Sequence, residues 1–380
     1  MSVRRDSTGG PVQPGRAPQS AGAVKLLDFK SIGWVFLLSV LLMITFAWQL
    51  VWPVITRSRQ LNAVATGAPA TNGFDLATCL VPRDQIIRCV PRDHIPALSN
   101  PPTLAGDQLD AFNAVQRQKY ERKFVVSGDR VIGVTIGGES RAYPLIVLNW
   151  HEMVNDTLGG TSICVTYNPL GDSAVVFSRA SAGGALQFGV SGLLYNSNLL
   201  LYDVVPSGQT ASLYSQLQFR AISGPAAARS AQLTVLPAEL TQWADWYARH
   251  PQSSVVLGDE KLLDRYNANP YSNYFEAGRP RFPATPPPPP TGPAGFARVL
   301  ALQTQDGWRV YTYDEIVSHL DAAGVWRDVN LSFHYVPVSP ALDPACIWVE
   351  SAPAGGQYPL VYSLWFTWYA AHPDTMPVSP

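Results

Sequence analysis

The run ARVLALQTQDGWRVYTYDEIVSHL, which begins at Ala297, restates DRVIGVTIGGESRAYPLIVLNWHE from Asp129 at an offset of 168 residues. The alignment places Arg309 on Arg141, Tyr311 on Tyr143, His319 on His151 and Tyr335 on Tyr167. A second match, WFTWYAAHP from Trp365 against WADWYARHP from Trp243, holds at an offset of 122. Motifs recurring in the same order identify an internal duplication, so a fold for this chain has to be built from two like units. The fall in offset leaves about 46 extra residues in the first copy, between roughly Arg179 and Leu236. A stretch present in one copy only is not needed to complete the repeated core, and is a place to look for function.

The repeat itself reads as hairpins around one short helix. Val131, Gly133 and Thr135 alternate with Ile132, Val134 and Ile136, Gly137-Gly138 turns the chain, and Arg141 to Pro144 returns. Leu145 to Asn155 is expected to be a helix ended by Gly159-Gly160, with Ser162 to Tyr167 and Ala174 to Arg179 as a further hairpin. Gly106 to Lys123 has helical character, with Leu109, Phe112, Val115 and Tyr120 loosely on one side. Phe74 to Leu98 reads as an extended strap over a core. Leu240 to Arg249 is expected to be helical and to stop at His250-Pro251, because a residue before proline is pushed out of the α region. Trp243, Trp246 and Tyr247 lie at helical spacing and belong to a core, while His250 and His372 fit carbonyl-bonding roles at the helix end.

With 33 Pro and 29 Gly against only 14% charged residues, the composition favours short strands and turns over long surface helices. The expected fold is mostly β with short helices (α+β): an internally duplicated β sandwich or barrel-like extracytoplasmic unit on one amino-terminal transmembrane helix. Its segments are a disordered cytoplasmic tail (1–30), a membrane anchor (31–56), a tether (57–73), a first repeat with its insert (74–282), a Pro-rich linker (283–295) and a second repeat (296–380). The net charge of −1 points to no nucleic-acid partner.

Ser31 to Ile55 carries no charged residue and, at ~1.5 Å per residue, is long enough for a hydrocarbon layer of ~30 Å. Trp34 at one end and Trp48 and Trp52 at the other suit interfacial anchoring in a lipid bilayer. Arg4, Arg5, Arg16, Lys25 and Lys30 precede it and outnumber Arg57 and Arg59 beyond it. The amino terminus is therefore expected in the cytoplasm of a bacterial cell, with a single pass through the inner membrane and the bulk in the periplasm. A cleaved signal peptide is the alternative, since Ala63-Val64-Ala65 matches A-x-A. The apolar run is longer than the ~7–15 residues of a signal core, and the match lies beyond two arginines, so an uncleaved anchor is preferred. In an oxidising compartment Cys79 and Cys89, nine residues apart in a loop-like segment, are candidates for a small disulfide. Cys164 and Cys346 lie in strand-like runs, as buried thiols or a second bridge.

Several further motifs occur in order: the run from Phe74 to Phe177, FGVSGLLYNSNLLLYD, ISGP at Ile222, WYARHP at Trp246 and the ending WFTWYAAHPDT. Together they resemble the DUF3179 family of uncharacterised, mostly exported bacterial proteins, over about 300 residues. The family typically reads TYCPLCGTA where this chain reads TYNPLGDSA from Thr166, so both positions of its C-x-x-C are replaced, by Asn168 and Gly171. Paired cysteines at that spacing would suit thiol redox chemistry or a soft metal ion. Asn cannot become a thiolate and Gly has no side chain. The family's S-L-W-S-Q is altered too, to Ser212-Leu213-Tyr214-Ser215-Gln216.

What polar chemistry remains centres on His151, Glu152, Asn155 and Asp156. On a continuous helix His151 would share a face with Asn155, and Glu152 with Asp156. Such a set, with Cys164 as a substitute thiol and His334 as a second imidazole, would suit a transition metal or general acid–base work. It is not H-E-x-x-H, and the retained His319 favours a structural role for His151. Ser191 in Gly189-Val190-Ser191-Gly192 is not in a G-x-S-x-G context, and Asn196 and Asn198 read as turn formers. The expectation is a non-catalytic, membrane-anchored accessory or structural subunit that docks onto an integral membrane protein complex, respiratory or photosynthetic, with no cofactor. The alternative is a metal-dependent or redox enzyme using His151, Glu152, Asp156 and Cys164.

Overall fold

A computed structural model describes residues 38–43, 71–121, 123–266, 268–328, 330–337, 345–351 and 358–378. The chain divides into two units, Met1–Ala63 and Val64–Pro380. In the first, residues 38–43 are helical, and the rest of the expected anchor, with Trp34, Trp48 and Trp52, lies outside the described residues. Among the described residues no helix is long and apolar enough to cross a membrane. The second unit is mostly β with a few short helices.

Its first repeated segment runs Arg130–Ile136, Glu139–Pro144, a helix Leu145–His151, then Met153–Leu158, Thr161–Asn168 and Ser173–Ser178. Its second runs Arg298–Thr304, Gly307–Thr312, a helix Tyr313–Ser318, then Val325–Asp328, Leu331–Val336 and Cys346–Ser351. The pairing of the first hairpin and of its flanking strand agrees residue by residue between the copies. Gln242 pairs with Arg130 and Glu239 with Gly133, while at the corresponding positions Leu364 pairs with Arg298 and Val361 with Ala301. The strand Glu239–Gln242 leads into the helix Trp243–Arg249, as Leu360–Leu364 leads into Trp365–Ala371.

Three local expectations are corrected. The helix at Leu145 ends at His151, because Glu152 takes a left-handed conformation (φ 55°) and closes the last turn through Leu148 O. Asn155 and Asp156 therefore lie on a strand, and Gly159-Gly160 turns a hairpin instead of ending a helix. Leu240 and Thr241 are also strand residues, paired with Ile132 and Val131 at the edge of a sheet, so the helix starts at Trp243. On the helix Leu109–Tyr120 the buried face carries Asn113 and Gln116 while Val115 is exposed. Asn113 decides this orientation, since its amide accepts from Phe124 N–H and donates to Val125 O across the following loop.

One eight-stranded sheet crosses both copies. Gly307–Thr312, Arg298–Thr304 and Leu360–Leu364 are joined at Tyr362↔Ala174 to Ser173–Ser178, Thr161–Asn168 and Met153–Leu158. Its inner residues Leu300, Leu302, Tyr311 and Val165 share one core with Ile132, Val134, Tyr143 and Phe333, which lie on strands of two other sheets. The outer face, through Cys164, Val175 and Phe177, is covered by the insert. Phe188–Tyr195, Asn198–Asp203, Leu213–Ser215 and Arg220–Ser223 form a five-stranded sheet with Ile86–Arg88 of the amino-terminal strap. The corresponding outer face of the first copy is covered by Trp243 and Trp246, and a Cβ at Gly133 would collide with the Trp246 ring.

Candidate functional site

The turn between Thr161–Asn168 and Ser173–Ser178 holds the positions that would carry the family's cysteines. Strand alternation sends Ile163, Val165 and Tyr167 into the central core and Cys164, Thr166 and Asn168 toward the insert. Asn168 is fully buried, and its Oδ1 accepts the Gly171 N–H at 3.0 Å, closing the turn. A Cβ at Gly171 would stand 3.1 Å from Thr367 Oγ1 and 3.3 Å from Ser173 Oγ, so this corner is tightly packed.

Around the turn lies a buried polar network. Ser173 Oγ donates to Gln216 Oε1 at 2.7 Å, and Asn198 Nδ2 donates to both Ser173 Oγ and Gln216 Oε1 at 2.9 Å. Gln216 Nε2 donates to Thr166 Oγ1 at 2.9 Å. Asn198 thus ties the insert to the repeat instead of shaping its own turn. Asn196 forms the hairpin turn as expected, at φ 54°, and its side chain also donates to Ala370 O and accepts from Thr285 N–H. Thr285 lies in the Pro-rich linker, and just before it Ser197 Oγ donates to Phe282 O and Tyr274 Oη donates to Leu170 O, roofing the turn.

Asp172, in a left-handed conformation (φ 44°), occupies the place of the glycine in the family's TYCPLCGTA. Its carboxylate accepts from Arg130 at 3.0 and 3.3 Å, from Arg298 Nε at 2.9 Å and from Tyr167 Oη at 2.8 Å. Arg130 and Arg298 are corresponding residues of the two copies. Burial raises the Asp172 pKa, but the two guanidiniums and the Tyr167 hydroxyl outweigh it and leave the group below its ordinary value. Sequence reasoning missed this clamp, although the arginines at corresponding positions were a usable signal.

The expected polar cluster is not assembled as a site. His151 is fully buried with both ring nitrogens engaged. Tyr266 Oη accepts the Asp259 N–H, so its proton goes to His151 Nε2 (2.7 Å), and Nδ1–H donates to Pro96 O (2.8 Å). Burial lowers its pKa, in keeping with a neutral ring. Asp156 is held by Arg141 at 2.6 Å and Tyr143 at 2.8 Å, and Asn155 pairs with the Phe188 backbone. Cys164 is a core thiol whose pKa burial pushes far up. His334 stacks on Trp348 at 3.8 Å beside Glu350, His319 bonds Glu315 O, and Ser191 Oγ bonds Leu200 O. No group of three or more His, Cys, Asp or Glu side chains able to hold a metal ion is found among the described residues.

Glu152 differs. It is buried, its carboxyl has no hydrogen-bond partner among the described residues, and burial raises its pKa to about 8. Burial, and then the charge of Glu152, raise the neighbouring Cys89 thiol to about 11. The expected Cys79–Cys89 bridge is not formed in this structure, and none of the four cysteines is disulfide-bonded. The spacing allowed a bridge, but Cys79 packs against the Phe74 and Leu213 cluster and Cys89 against Leu170 and Tyr274.

Residues 92–334 match the family described as Protein of unknown function (DUF3179). Comparison with curated proteins and with solved structures found no match.

Proposed function

The chain belongs to the DUF3179 family, and from that premise we propose that it is a non-catalytic accessory subunit of a membrane protein complex. In this reading the two repeats form one barrel-like periplasmic unit on a single inner-membrane helix, with the amino terminus in the cytoplasm. The observation that carries it is the Asp172 clamp. The turn that in the family resemblance bears two cysteines here bears a carboxylate joining corresponding arginines of the two copies. A carboxamide and a glycine supply no thiolate chemistry, while a buried, doubly paired carboxylate holds the copies in register.

Extraction of the native membrane in mild detergent, followed by size exclusion and identification of co-eluting chains, tests this reading. Co-elution with integral membrane proteins is the expected outcome. A solitary monomer would sink it. Glu152 favours a second reading, an enzyme that uses a buried, largely protonated carboxyl beside the Cys89 thiol, because strongly shifted groups concentrate at functional sites. Metal analysis of the purified chain, together with the phenotype of Glu152→Gln, distinguishes the two. Stoichiometric metal, or a lost phenotype in a stably folded variant, would favour the enzyme.

A further inference from the structure

One copy shows what fills a cleft that the other leaves open. In the first copy a cleft of about 420 Å³ is lined by Ser140, Arg141, Leu158, His250 and Pro251, among others. The His250 ring lies against Trp246 with centroids 4.0 Å apart, its Nδ1 is 3.4 Å from Ser140 Oγ, and its buried Nε2 has no hydrogen-bond partner among the described residues.

In the second copy the corresponding ring is His372, stacked on Trp368 at 4.3 Å. Here the insert fills the space. Phe219 packs against both rings, 5.4 Å from His372 and 6.3 Å from Trp368, and His372 Nε2 donates to the Leu217 carbonyl at 2.6 Å. The residue corresponding to Ser140 is Trp308, whose ring meets Phe219 at 5.0 Å and Trp368 at 5.5 Å. Phe219 is held at φ 56°, a left-handed conformation that strains a bulky L-residue. That strain accompanies the seating of one aromatic ring and one carbonyl against a histidine–tryptophan pair. The first copy has the same pair, a serine in place of the tryptophan, and no insert to fill the gap.

We propose that the first-copy cleft at His250 docks an extended peptide segment of a partner protein. That segment presents a main-chain carbonyl and, two residues later, an aromatic side chain, as Leu217 and Phe219 do in the second copy. The volume falls within the ~300–1,000 Å³ range of ligand clefts and accommodates an aromatic side chain with its neighbours. The exposed Glu139 on the rim favours a basic residue beside the aromatic one, the order found at Phe219-Arg220. The proposal goes beyond the accessory-subunit reading by naming a contact surface, and rests on it only for the nature of the partner.

The probe is a fluorescently labelled synthetic peptide with the sequence of residues Ser215–Ala221, titrated into the full chain in detergent micelles and followed by anisotropy. Saturable binding is expected. It should weaken at least tenfold when the peptide's phenylalanine is replaced by alanine, and by a similar factor in His250→Phe, which keeps a ring but has no N–H. Ser140→Trp, which rebuilds the second copy's filling, should abolish binding, and His334→Phe should leave it unchanged. No saturable binding to the wild type, or binding that His250→Phe leaves intact, overturns the proposal. Should Ser140→Trp fail to fold, His250→Phe with an unchanged melting temperature decides alone. A solitary monomer that binds the peptide would remove the accessory-subunit reading and keep the cleft. A co-purifying complex with no peptide binding would do the reverse.

Discussion

At Asp172 and Glu152 burial acts on two carboxyl groups with opposite results, because only one has cationic partners. Asp172 has a depressed pKa, so its contribution is fully present above the unfolded value of ~3.9 and is lost as pH falls through the lower folded value. Glu152 has a folded pKa raised from 4.5 to about 8, so its ionisation opposes folding. Between those two values stability should fall by about 1.4 kcal/mol for each pH unit gained. Glu152→Gln should remove that slope, as read from denaturant midpoints between pH 5 and 8 (values on the order of those limits). A slope equal to the wild type's would refute the assignment. Asp172→Ala should cost about 3–5 kcal/mol at pH 7, because it leaves Arg130 buried without its counter-charge. A loss below about 1 kcal/mol would show that the clamp is dispensable. Neither residue's electrostatic role was read from the sequence, although the corresponding arginines Arg130 and Arg298 carried a signal for one of them. Glu152 stood beside His151 in a motif that drew attention to the imidazole, and in TYNPLGDSA the replaced cysteine positions drew attention away from Asp172.

The elements were legible where periodicity and glycine agree, and misread where a tertiary partner decides. The hairpin Arg130–Ile136 to Glu139–Pro144 follows from alternation and from Gly137-Gly138, both at positive φ. Leu145 to Asn155 read as one helix because nothing in composition marks the break at Glu152. Thr161–Asn168 draws Met153 to Leu158 into a strand, and pairing overrides helical preference there. The aromatic helices were read correctly as core. Trp368 is fully buried against Trp308 and Phe219, so Trp368→Ala should destabilise by about 3–5 kcal/mol. Trp246 has no insert above it, yet its ring fills the space that Gly133 leaves. Gly133→Ala should therefore lower the melting temperature, whereas Ala301 already carries a methyl group at the corresponding position of the second copy. Thermal unfolding of Gly133→Ala that matched the wild type would mean the Trp246 ring can shift aside at no cost.

Duplication does not make two independent domains of this molecule. The second copy's strand Leu360–Leu364 pairs with Arg298–Thr304 on one side and meets the first copy's Ser173–Ser178 on the other. Its inner residues Leu300, Leu302, Phe333 and Tyr362 share a single cluster with Ile132, Val134, Val165 and Leu240. Its outer residues Val299, Ala301 and Val361 are covered by the first copy's insert. Residues 296–380 made alone would expose both faces. At ~1.5–3 kcal/mol for each large apolar side chain returned to water, a handful of such exposures exceeds the ~5–15 kcal/mol that holds a typical domain. The fragment is therefore expected to remain unfolded, with poorly dispersed amide resonances and rapid proteolysis, while residues 64–380 unfold in a single cooperative transition. A cooperative melt from the isolated fragment, or two resolved transitions in the longer chain, would show that the copies fold separately. The Asp172 clamp would then join finished domains instead of helping to form one.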